Sequence, residues 1–138
     1  MVLTLAGCDP DMYTNPILPG QTAVLRITFD PNPVYEGYSS TYTFVVYIDE
    51  MNGVGANIGS IKIEYIGDDG SVWDTETWGY YDVVRTFGTN RIEAMGRLMA
   101  YVKVEDCYFC DRQNWLVRAD DDRGGHVEYS NTIQFLSR

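Results

Sequence analysis

The chain's one histidine, His126, is where hydrolytic chemistry would have to start, because a Ser or Cys nucleophile at neutral pH needs a base beside it. His126 follows Gly124 and Gly125 at a turn, and no Ser or Cys motif stands near it. The sequence contains no Gly-x-Ser-x-Gly, phosphate-loop or dinucleotide pattern. His126 is therefore expected as a solvent-exposed turn residue, and no catalytic residue is assigned. Cys107 and Cys110 are the second candidates. Zinc needs four ligands, and beyond this pair only His126 and Cys8 remain, so a structural zinc is not expected. A redox pair of the thioredoxin kind would sit at a helix N-terminus after a βαβ pattern, which is not visible. The pair is read as a short loop disulfide or as two plain thiols. The third set is aromatic: Trp73, Trp78, Tyr80 and Tyr81, with Asp74, Glu76 and Asp82 interleaved. Exposed together on one sheet face, such rings would stack on sugars while the carboxylates accept hydroxyl hydrogen bonds; otherwise they fill the core or cover a sheet edge.

Charge narrows the partners. A net charge of −10 over 138 residues repels a phosphate backbone, so nucleic acid is excluded as an expected partner. The acidic surface is read first as a solubility device. No apolar run approaches the roughly 18 to 20 residues of a membrane-crossing helix. With 45% hydrophobic residues and eleven Tyr, the chain has the makings of one β-rich core.

The elements that must position these residues are strands, because apolar residues recur with a period of two. Between Gln21 and Asp30 the inward set is Ala23, Leu25, Ile27 and Phe29, and Pro31 and Pro33 end the strand. Tyr42, Phe44, Val46 and Ile48 form a second strand, ending at Asp49 and Glu50 before a Gly-rich loop from Asn52 to Gly59. Ile61, Ile63 and Tyr65 form a third, and Asp68-Asp69-Gly70 predicts a tight turn. From Trp73 to Phe87 both parities are apolar, which is read as one or two shorter strands around Gly79. Ile92 to Val104 alternates as a strand, with Gly96 in its middle. A helix competes there, with Asn90 and Glu93 as capping box and Ile92, Met95, Met99 and Val102 as stripe. Trp115, Val117 and Ala119, then Val127, Tyr129, Ile133 and Phe135, form a hairpin around the loop from Asp120 to Gly125.

Two resemblances follow from these residues. Leu5-Ala6-Gly7-Cys8 is similar to the lipobox of bacterial lipoproteins, in which the Cys is acylated and becomes the mature first residue. Seven residues without Lys or Arg precede Cys8, so residues 1–8 are read as a truncated signal remnant. Lipidation of Cys8 would also remove the odd member from a count of three cysteines. Residues 9–20, with Pro10, Pro16 and Pro19, read as a tether reaching at most about 40 Å. Asp9 resembles the inner-membrane retention signal of some Gram-negative lipoproteins. The run Trp115 to Asp120, Gly124-Gly125, and Glu128 to Ile133 looks like the last two strands of bacterial fibronectin type III and related immunoglobulin-like domains. The segment before Trp115 lacks the Leu-x-Pro-x-Thr-x-Tyr run of fibronectin modules, and Arg123-Gly124-Gly125 is not an Arg-Gly-Asp adhesion motif.

The resemblance implies an all-β, immunoglobulin-like antiparallel sandwich of seven to eight strands over residues 21–138. Its loop geometry would bring Asp49 and Glu50 near Asp120, Asp121 and Asp122, hard oxygen ligands for a calcium ion or acids satisfying their own turns. It further implies a non-enzymatic module of the bacterial cell envelope, exported and held to a membrane only by a lipid at Cys8, serving as spacer or protein-interaction domain. The alternative is a module binding cell-surface polysaccharide through the aromatics at 73–81.

Overall fold

The computed structural model describes residues 20–107 and 110–137. Its alternating segments become strands with one buried face. β1 (Leu25–Asp30) buries Leu25, Ile27 and Phe29, and β2 (Val34–Tyr35) follows the two prolines. β3 (Tyr42–Glu50) buries the four residues expected of it. β4 (Ala56–Ile66) takes in the last four residues of the expected Gly-rich loop, and Gly59 falls at a register shift between Ile58 and Ser60. The predicted turn at Asp68 to Gly70 leads into β5 (Val72–Trp78), with Gly70 at φ 84°, a conformation that favours glycine. Beyond it come β6 (Arg91–Ile92), β7 (Arg97–Val104), β8 (Arg112–Asp121) and β9 (His126–Leu136).

Two expectations are corrected. The segment after Gly79 is a helix, α1 (Tyr80–Phe87), and not a second short strand. Phe87 lies one helical turn from both Val83 and Val84, so apolar residues on both strand parities share one helical face. Asp82 Oδ2 accepts the Gly79 amide at 3.3 Å, and Gly88, at φ 86°, ends the helix by donating to the Val84 carbonyl at 2.7 Å. Ile92 to Val104, in turn, is neither one strand nor a helix. A turn over Glu93 to Gly96 separates β6 from β7, Ala94 is exposed, and Asn90 donates to the Ile58 carbonyl instead of capping a helix.

The strands form two sheets. One has three strands in the order β1-β3-β7; the other runs β2-β9-β8-β4-β5, with β6 paired to one end of β4. All pairings are antiparallel except β2 with β9. Among the described residues seven strands have six or more residues, and two have only two. The core between the sheets is centred on Trp115, wholly buried, with Phe29 and Phe44 edge-on at 5.6 and 6.3 Å. Its indole donates to the buried Gln113 at 2.9 Å. No buried side-chain polar atom among the described residues lacks a partner.

Direction follows from register. The chain comes in where Leu25 faces Glu50, a location called here the near end, and Ala56 faces Asp121 at that same end. β4 runs from there to Ile66, beyond which the Gly67 to Ser71 turn forms the far end. At about 3.3 Å per residue, β4 alone separates the two ends by roughly 35 Å.

Candidate functional site

At the near end the acids expected to gather are present, but each faces protein donors. Glu50 is only 1% exposed, and its carboxylate accepts five backbone amides. Oε1 takes Gly53 at 2.7 Å, Val54 at 3.0 Å and Met95 at 3.0 Å; Oε2 takes Asn52 at 2.8 Å and Val24 at 3.1 Å. Burial pushes its pKa up, and the amides together outweigh that and hold it below the usual carboxylate range. Asp121 behaves alike: burial acts upward, and the Gly125, Ala23 and Arg123 amides bring the net shift down. Glu50 on β3 and Asp121 on β8 thus grip the consecutive amides of Val24 and Ala23 from both sheets. Tyr129 adds a hydrogen bond to the Ala23 carbonyl at 3.2 Å.

The other three acids are paired elsewhere. Asp49 accepts from Arg97 at 2.6 and 3.2 Å, with Arg26 at 3.5 Å, and the Arg97 hydrogen bond holds its carboxyl low despite burial. Asp122 takes Arg91 bidentately at 2.6 and 2.8 Å, which lowers its pKa in the same way. Asp120 contacts the exposed His126. The acids expected as calcium ligands therefore share one end without converging, and no metal-holding group of three occurs among the described residues.

Cys107 is buried and is joined to Cys110, with Cα atoms 5.4 Å apart, within the ordinary disulfide range. Of the two expected alternatives this is the loop disulfide. Cys8 and most of the expected tether lie outside the described residues.

The aromatic set divides. Trp78 points inward, packs edge-on against Trp115 at 5.3 Å and donates to Glu76 Oε2 at 2.9 Å. Tyr65 donates to the other oxygen of Glu76, also at 2.9 Å, so Glu76 ties two rings together. Burial, followed by the neighbouring Glu76, pushes the Tyr65 pKa well up. Trp73 stays 48% exposed. It is the extra residue where Tyr65 pairs with Asp74 but Ile66 pairs with Val72, and its ring leans on Tyr65 at 5.6 Å. Tyr80 and Tyr81, edge-on to each other at 5.3 Å, are 54% and 81% exposed at the start of α1. Among the described residues β5 pairs only with β4, and it is exposed along its length save for Trp78; Asp74 Oδ1 accepts the Thr75 amide at 2.9 Å.

The far-end turn contributes what the sequence reading left out. Gly67, Asp68, Asp69, Ser71 and Trp73 line a cleft of about 290 Å³. Asp69 Oδ1 accepts the Ser71 amide at 2.9 Å and its hydroxyl at 2.7 Å, which hold the Asp69 carboxyl below the usual range. The sequence signal was present in Asp-Asp-Gly next to a tryptophan, but it read as a turn and a strand separately.

No family model matches the chain, and no curated protein does. Solved structures do. A Northeast Structural Genomics Consortium target, SoR45, is similar at a TM-score of 0.54 and 14% identity, over 80% of this chain and 86% of that one. A Bordetella pertussis protein bearing the name ApaA is similar at 0.50 and 11% identity, over 83% and 96%. The CARDB domain of the PF1109 protein from Pyrococcus furiosus, solved with di-metal ions, matches at 0.46 and 9% identity, over 86% and 97%. At such identities the first two likenesses speak to fold alone, and the order of the two sheets described above makes the chain an all-β, immunoglobulin-like sandwich.

Proposed function

We propose that this chain is a non-enzymatic binding module of the bacterial cell envelope, held by a lipid on Cys8 and a tether over residues 9–20, and that it docks a protein partner. The observation that carries the reading is the exposure of large aromatics, Trp73, Tyr80 and Tyr81, beside a strand that, among the described residues, ends its sheet and is exposed along most of its length. Side chains are the better means of docking than strand addition, because the exposed rings lie on β5 and α1 while Asp74 already takes up one backbone amide of β5. Exposed Tyr and Trp supply rigid contact area, which is what such a surface needs.

In-cell photo-crosslinking tests this. A crosslinker at Thr75 or Tyr81 is expected to give discrete adducts that the same group at Thr43, exposed on the outer face of the three-stranded sheet, does not give. Adducts from Thr43 with none from β5 or α1 would overturn the reading.

A second reading, a module that binds cell-surface polysaccharide through the same aromatics, is favoured by one observation: Trp73 borders a cleft lined with acids and a hydroxyl.

A further inference from the structure

We infer that the far-end cleft is a carbohydrate subsite, with a pyranose ring stacked on Trp73 and its hydroxyls donating to Asp68 and Asp69. The inference deepens the second reading above and rests on it, but it places the ligand at a turn and not along the whole aromatic face. Three observations combine. Trp73 is backed by Tyr65, which Glu76 fixes through its hydroxyl, so one side of the indole is supported and the other is open. A platform held in advance loses little freedom when a ring settles on it. The C–H face of a pyranose suits such a platform, being flat and apolar at its centre and ringed by hydroxyl donors.

Acceptors for those hydroxyls line the same cleft as Trp73. Asp68 lines the cleft, is exposed, and accepts no hydrogen bond among the described residues. Asp69 is oriented through one oxygen by Ser71. Carboxylates take hydroxyl hydrogen bonds more strongly than neutral acceptors do. The cleft, at about 290 Å³, lies at the lower end of small-ligand sites, roughly 300–1,000 Å³, which suits a ring or two of a longer glycan. Its position agrees with capture, since it lies at the end opposite the one where Glu50 and Asp121 hold the incoming chain. The remaining aromatics are worse placed for this work: Trp78 is packed on Trp115, and Tyr80 and Tyr81 pack edge-on against each other.

Calorimetric titration of the full chain with cellohexaose, chitohexaose, maltohexaose and mannohexaose tests the inference. At least one is expected to bind, and Trp73→Ala is expected to weaken that binding about tenfold or more, the equivalent of a lost ring stack. Trp73→Phe should retain most of the affinity, Asp68→Asn should weaken it, and Tyr101→Ala, exposed on the three-stranded sheet away from these aromatics, should leave it unchanged. Binding that survives Trp73→Ala and Asp68→Asn but is lost in Tyr81→Ala would overturn the cleft while sparing the polysaccharide reading. Binding of none of the four would overturn both.

Discussion

Glu50 shows how a residue's chemistry depends on direction, which sequence does not record. Asp49-Glu50 and Asp120-Asp121-Asp122 are legible as acids at strand ends, and the resemblance to an immunoglobulin-like fold places them at one end of the molecule. Whether they face a cation or the backbone turns on where the amides of residues 23–24, 52–54 and 95 point. Glu50→Gln puts amide hydrogens against amide donors, and a loss of about 3 kcal/mol in urea denaturation is expected. The folded pKa values of Glu50, Asp121, Asp49 and Asp122 are all lowered. Their contribution is therefore present above the unfolded carboxylate values of about 4 and is lost as pH falls through the folded ones. Stability measured by denaturation should decline below about pH 4, less steeply in the Glu50→Gln variant, because one linked proton is gone. Millimolar calcium should leave the thermal midpoint where it was, since the lone pairs it would need already have donors; a rise would contradict that assignment.

Among the elements, those with one buried face were readable and those at the side of the sandwich were not. β1, β3, β8 and β9 announce themselves because each lies across the core, so a period of two survives in the sequence. β5 hangs beyond the three-stranded sheet with little to bury, and α1 follows it at once. Tyr80, Tyr81, Val83, Val84 and Phe87 then blur two periods into a single apolar run. Gly88 carried the missing signal, a helix-ending glycine one residue after Phe87. Gly88→Ala forces a side chain into the left-handed region and is expected to cost about 1–2 kcal/mol in denaturant. Gly79→Ala, at φ −86° with open space around it, should cost much less. Equal losses would argue against α1 as described.

For the molecule as a whole, the sandwich was legible from alternation and turn signals alone, but the polarity that gives it a use was not. Only register shows the incoming chain at one end and the Trp73 cleft at the other, about 35 Å along β4. The Cys107–Cys110 bond would suit the proposed export, because disulfides persist in oxidising compartments. Alkylation of denatured protein without reductant should leave Cys107 and Cys110 unmodified, and labelling of both would contradict the bond. Display from a membrane is the claim on which the function turns, and the intact mass of the protein purified from its native host tests it most directly. The expected result is a chain beginning at an acylated Cys8; a mass that retains residues 1–7 with an unmodified Cys8 would contradict it.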